Sequence, residues 1–180
     1  MNKESLISIL EIKETDTVFV DVINNIYHVS FPPEERRDFD KFLELMNEND
    51  YFKVFVILKD ENPVGFITIW DFSDFAYVEH FATAPEARGG GIGNKVMHLI
   101  VKHLNKPIIL EVEPPTDEFS QRRINFYNRC GFSLIDTIEY FQPPYRESDQ
   151  PLKLFLMSHG DIDIDDSHIK TIHKNVYGVK

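Results

Sequence analysis

Apolar positions along the chain follow two rhythms, arranged in blocks. Residues 52–58, 64–70 and 75–83 are apolar-rich runs separated by short polar turns at 59–63 and 71–74. Such connections cannot hold a crossover helix, so the three runs predict an antiparallel meander. Before them, Phe19, Val22, Ile23 and Ile26 recur at spacings of three and four, predicting a helix with Asp16 as its cap and Pro32 and Pro33 as its stop. A second helix is predicted over 38–47, with Phe39, Phe42, Leu43 and Met46 on one stripe, and Ile7, Leu10 and Ile12 suit an opening strand.

Beyond the meander the texture changes. A glycine-rich stretch at 88–93 opens a helix carrying Ile92, Val96, Leu99 and Ile100, and residues 105–107 end it before a nearly continuous apolar strand at 108–112. Strand, helix and strand in that order predict a parallel pair joined by a right-handed crossover. Pro114 and Pro115 close the strand, a further helix follows over 118–130, and strands at 133–141 and 152–157 flank the loop Gln142-Pro143-Pro144-Tyr145. Residues 1–159 read as one domain, and 160–180 as an appended acidic segment with a short helix. That segment can pack on the body, cover a cleft or join a homodimer; the sequence does not choose among the three.

Composition narrows the function classes. Of 180 residues 42% are hydrophobic, which is enough for a sizeable core, and the net charge of −11 argues against general affinity for nucleic acid or anionic membranes. It leaves room for cationic partners such as amines. The single cysteine, Cys130, excludes an internal disulfide and agrees with a reducing, cytoplasmic setting. No apolar stretch approaches a membrane span. No metal site is expected: Asp161, Asp163 and Asp165 imitate the start of a calcium loop, but Asp166 and Ile172 stand where its Gly and Glu belong.

The glycine-rich stretch carries chemistry. A helix start leaves backbone N–H groups without partners and favours negative charge, and glycines let a bulky anion approach. Asn94 stands where a P-loop needs Gly, and Asn94 and Val96 break a dinucleotide fingerprint. What remains is Arg88-x-x-Gly91-x-Gly93, preceded by Phe81-Ala82-Thr83-Ala84-Pro85-Glu86 and followed by Phe126-Tyr127-Asn128-Arg129-Cys130-Gly131-Phe132. Both motifs, at this separation and on these elements, resemble the GNAT superfamily of acetyl-CoA-dependent N-acetyltransferases, over roughly residues 6–157. The resemblance implies an α/β (α+β) fold, a mixed, mostly antiparallel sheet of six to seven strands with helices on both faces.

It also implies acetyl-CoA as donor and a small-molecule or peptide amine as acceptor, with direct attack in a ternary complex. Backbone groups of Phe81, Ala82 and Thr83 would hold the pantetheine arm, and the turn Arg88, Gly89, Gly90, Gly91, Ile92, Gly93 and Asn94 the pyrophosphate. Ser120 stands where many members carry a cofactor-binding Asn, and Tyr127 takes the place of the general acid. An alkyl amine is mostly protonated at neutral pH, so a base is required. Glu79 is the first candidate and His80 the alternative, and strict alternation sends the two to opposite faces, so only one would line the site. Acceptor contacts are expected from Phe31, Glu34, Glu35, Glu113, Tyr140 and Tyr145, with Glu111 on a solvated surface and Cys130 packing at a helix end. The competing class is a non-catalytic acyl-CoA-binding module of the same fold, which needs the glycines but not Tyr127.

Overall fold

The computed structural model describes residues 5–180. Strand alternation divides its core in two. In β2 (Phe52–Lys59), Val54 and Val56 face one way and Phe55 and Ile57 the other, and all four are buried. The strands β1 (Ile7–Ile12), β2, β3 (Asn62–Asp71), β4 (Ala76–Thr83), β5 (Ile108–Val112), β6 (Ser133–Gln142) and β7 (Leu152–His159) form a seven-stranded sheet in the order β1-β2-β3-β4-β5-β7-β6. Among the described residues only β4 and β5 are parallel neighbours.

Helices α1 (Thr17–Ser30) and α2 (Phe39–Glu48) cover one face, where Val20, Ile23, Phe42 and Met46 pack with Val54, Phe66 and Trp70. On the opposite face, α3 (Ile92–Leu104) and α4 (Glu118–Arg129) bury Val96, Met97, Ile100 and Ile124 against Phe55, Ile67, Ile69 and Val78. Helices on both faces of a mostly antiparallel sheet match the expected architecture. Two local expectations change. Asp16 holds the N-cap position of α1, but its side chain does not cap the helix: the carboxylate accepts instead from the Lys13 backbone N–H in the preceding turn at 2.8 Å. Met97 rather than Leu99 completes the buried stripe of α3.

The C-terminal segment is built into the first core. Asp165 caps α5 (Asp166–Tyr177) by accepting from the N–H groups of Ser167 and His168, and Ile164, Ile172 and Val176 join the cluster under α1 and α2. Among the described residues no helix is long and apolar enough to cross a membrane.

One glycine is fixed by close approach. A Cβ at Gly65, in β3 beside the end of β4, would lie 2.5 Å from the carbonyl oxygen of Ala82. Gly65→Ala is therefore expected to push β4 away from β3 and lower stability by about 1–3 kcal/mol, read as a lower thermal midpoint. An unchanged midpoint would show that the two strands are not held together there.

Candidate functional site

β4 and β5 pair for only three residues, Ala76 with Ile108, Tyr77 with Ile109 and Val78 with Leu110. Beyond Val78 and Leu110 they part, while β4 stays paired to β3 as far as Thr83 and β5 to β7 as far as Val112. The fork leaves one edge of residues 79–83 without a strand partner and opens a cavity of about 660 Å³. Glu79, His80, Phe81, Ala82 and Thr83 line it from β4, Glu111 and Val112 from β5, and Glu113 from just beyond the end of β5.

At its other end the cavity reaches the glycine turn through Arg88 and Gly93. Gly89, Gly90 and Gly91 all have positive φ, at +90°, +61° and +75°, a run open to glycine but strained for other residues. Gly91 caps α3, whose first backbone bond back to it comes from Lys95, so the N–H groups of Ile92, Gly93 and Asn94 have no acceptor within the helix. A Cβ at Gly93 would meet the Phe126 ring at 3.1 Å, so this glycine also lets α3 and α4 approach. The exposed glycine run, the unfilled amides and the open β4 edge are what a pantetheine diphosphate requires.

The catalytic candidates meet through a bulge. Register slips between Thr68 and Ile69 of β3, which pair with His80 and Val78, leaving Glu79 as the extra residue. The slip defeats strict alternation, and Glu79 and His80 both line the cavity, correcting the expectation that only one would. The Thr68 hydroxyl fills the gap by accepting from the His80 backbone N–H at 3.0 Å.

The two differ in what they can do. The Glu79 side chain is fully buried and saturated: it pairs with the Arg37 guanidinium, accepts from Trp70 Nε1 at 2.8 Å and from the Tyr145 hydroxyl at 2.8 Å. Burial alone would raise its pKa, but Arg37, His80 and the Trp70 N–H hold it below the usual carboxylate range. It stays ionised. His80 is buried among Phe31, whose ring centroid lies 4.6 Å away, and Tyr27, at 5.1 Å. Its Nε2 lies 3.0 Å from the Glu35 carbonyl, which only accepts, so Nε2 carries the proton and Nδ1 the lone pair. Nδ1 has no hydrogen-bond partner, and Glu79 Oε1 stands 3.9 Å from it. Burial depresses the His80 pKa below 6.5, which keeps the ring neutral at pH 7.

Tyr127 also lines the cavity, nearly buried between Phe126 and Phe132, and burial raises its hydroxyl to about 12. Other expected residues divide. Phe31, Glu35, Glu113 and Tyr145 reach the cavity. Glu113 pairs with Arg123 at 2.7 Å, and burial together with the Glu113 charge raises the Glu35 pKa.

Eight expected positions do not line the cavity, among them Gly89, Gly90 and Gly91 of the turn itself. Glu34 is exposed outside it and Ile92 is buried in the core, while Asn94 Nδ2 contacts Cys130 Sγ at 3.5 Å. The Ser120 hydroxyl is committed to a capping box, donating to the Asp117 carbonyl at 3.0 Å. Tyr140 lies behind the wall with its hydroxyl donating to Glu111. Cys130 packs at the end of α4, as expected.

Three participants escaped the sequence. Glu111 was expected at a solvated surface, yet its carboxylate accepts from the hydroxyls of Tyr140 and Tyr177. The correction comes from α5, which no local pattern places over β5. Arg37 lies between the first two helices and carried no motif. Tyr177, in the last turn of α5, carried no motif.

Comparison with known proteins agrees with this geometry. The model of the Acetyltransferase (GNAT) family matches residues 19–132. YjbC of Bacillus subtilis (strain 168), to which an acetyltransferase activity is ascribed, is 32% identical over 112 residues, 61% of this chain and 56% of that protein. The chain thus spans just over half the length of that curated relative. A solved GNAT-family protein of Bacteroides thetaiotaomicron, likewise ascribed that activity, superposes with a TM-score of 0.91 at 41% identity, covering 96% of this chain and 99% of the other. Arabidopsis thaliana Naa50, solved with the bisubstrate analogue CoA-Ac-MVNAL, shares the fold at a TM-score of 0.61 and 18% identity, covering 86% of this chain and 99% of its own. With the motifs, the forked sheet and the family match in agreement, the chain belongs to the GNAT acetyltransferase family.

Proposed function

We propose that this protein transfers an acetyl group from acetyl-CoA to an amine by direct attack in a ternary complex. The observation that carries the reading is the His80 Nδ1 lone pair: buried, neutral and without a donor, in the same cavity as the Tyr127 hydroxyl and the glycine turn. Acetyl-CoA, when bound, supplies the thioester. The amides of residues 92–94 face its diphosphate, and the open edge of Phe81, Ala82 and Thr83 takes the pantetheine arm.

His80 Nδ1 accepts a proton from the attacking nitrogen as the new C–N bond forms. The imidazolium so created has its Nε2–H on the Glu35 carbonyl and the Glu79 carboxylate 3.9 Å from Nδ1. Glu79 in this reading stabilises the charged ring rather than taking the proton, because its oxygens are already engaged. As the C–S bond breaks, the Tyr127 hydroxyl protonates the departing thiolate, a role its raised pKa allows because the phenol stays protonated throughout the working range.

Calorimetric titration with acetyl-CoA tests the donor half. The native protein is expected to bind, and Gly91→Glu to lose binding at least about a hundredfold, since the variant adds a negative charge and strains a residue at φ +75°. Absence of binding to the native protein would end the enzyme reading. Binding without turnover of any amine would favour the acyl-CoA-binding module instead.

A further inference from the structure

Glu79 and Glu111 are the first residues past the fork, one on each strand, and both line the cavity. Their surroundings differ in one respect. Glu79 has the Arg37 guanidinium as counter-charge. Glu111 has only hydroxyls: Tyr140 donates to Oε1 and Tyr177 to Oε2 at 2.9 Å, and the Tyr177 oxygen lies 2.9 Å from the Tyr77 hydroxyl. Among the described residues no Lys, Arg or His forms an ion pair with it. A carboxylate withdrawn from water onto neutral donors keeps an unmet demand for positive charge.

We propose that Glu111, held by Tyr140 and Tyr177, is a subsite for a second cationic group on the acceptor, so that the substrate is a diamine or a comparable dication. The inference rests on the acetyl-transfer reading, which places the reacting nitrogen at His80. That ring lies against Phe31 and the Glu35 carbonyl on the α1 side, whereas Glu111 stands on the opposite lip of the fork. One open cavity joins the two positions, so one extended molecule can occupy both. Tyr145 lines the cavity between them and offers an aromatic surface suited to a cation, with the Tyr177 ring packed against it at a centroid distance of 5.2 Å.

Protonation behaviour agrees with the geometry. Burial pushes the Glu111 carboxyl up to about 7; the Glu79 charge adds to the rise, while the hydroxyls of Tyr140, Tyr177 and Tyr77 oppose it. The groups facing Glu111 are thus Tyr77 and Glu79 on β4, Tyr140 on β6 and Tyr177 on α5, and none is positively charged. A bound ammonium would favour the ionised form, so binding should strengthen as pH rises through 7, up to the point where the amine itself deprotonates. The subsite also gives the C-terminal helix a function, since α5 delivers Tyr177.

The test is calorimetry at pH 8 on the full chain saturated with coenzyme A, using straight-chain diamines of four to six carbons against monoamines of the same lengths. The native protein is expected to bind at least one diamine about tenfold or more tighter than its monoamine. Glu111→Gln should erase that preference, and Tyr177→Phe should reduce it while leaving coenzyme A binding intact. Retained coenzyme A binding shows that each variant is folded. Equal binding of the two amine classes, no amine binding, or a preference that survives Glu111→Gln overturns the subsite while leaving acetyl transfer standing. Loss of coenzyme A binding by the native protein itself would instead overturn the acetyl-transfer reading.

Discussion

Arg37→Met is expected to destabilise the protein by about 3–5 kcal/mol at pH 7, because it leaves the Glu79 carboxylate buried without its cation. Arg37 is anchored from several directions. Its backbone N–H donates to the Tyr27 hydroxyl at 3.0 Å, its guanidinium lies 5.1 Å from the Tyr145 ring centroid, and the pairing with Glu79 raises its own pKa despite burial. Little of this can be replaced by water, since the Glu79 side chain is fully buried.

The sign with pH is fixed. In the native protein the Glu79 pKa is depressed below 4.5, so the stabilisation is present above that value and is lost as pH falls through the depressed one. In Arg37→Met, burial acts without its main opposition and the Glu79 pKa rises. The variant's deficit should therefore be largest at neutral and higher pH and shrink as pH falls below about 5. Chemical denaturation at several pH values measures this. Adding Glu79→Gln should recover a large part of the loss, because the uncompensated charge is gone. If Arg37→Met unfolds at the native denaturant midpoint, the pair is not holding the fork.

His80→Gln is expected to lower kcat by a factor on the order of 10²–10⁴ while leaving acetyl-CoA affinity unchanged. Gln can still donate to the Glu35 carbonyl, so the loop at 33–35 keeps its anchor, but it cannot accept a proton in the working pH range. The pH profile separates chemistry from packing. Because burial lowers the His80 pKa from its ordinary value, native kcat should hold down to pH values at which a free imidazole would already be protonated, and decline only as pH falls through the lowered pKa. The decline attributable to His80 should vanish in the variant. A Gln variant with native kcat would remove His80 from the reaction and return the role to a carboxylate of the cleft.

The sequence made the site's frame readable because the frame is local. Meander strands separated by turns of a few residues, the glycine run before α3, and the motif ending at Phe132 each announce themselves within a dozen positions. The face of the sheet that Glu79 and His80 share was not readable in this way. Alternation assumes an unbroken ladder, and the bulge opposite Thr68 and Ile69 arises from pairing between two strands. Distance explains the other omissions: Tyr177 reaches Glu111 across 66 positions and Tyr77 across 100. Tyr140 and Ser120 were placed by family position, yet Tyr140 donates to Glu111 from behind the cavity wall and Ser120 closes the first turn of α4.

Trp70 is the chain's single tryptophan, and its indole N–H is bound to the carboxylate that balances Arg37. Its ring lies 5.9 Å from that guanidinium and 5.1 Å from Phe52. The protein's intrinsic fluorescence under tryptophan-selective excitation thus comes from one chromophore hydrogen-bonded to a carboxylate of the fork. Emission from this buried indole reports on the electric field at the base of the fork without an attached label, and the same signal follows the rupture of the ion pair beside it.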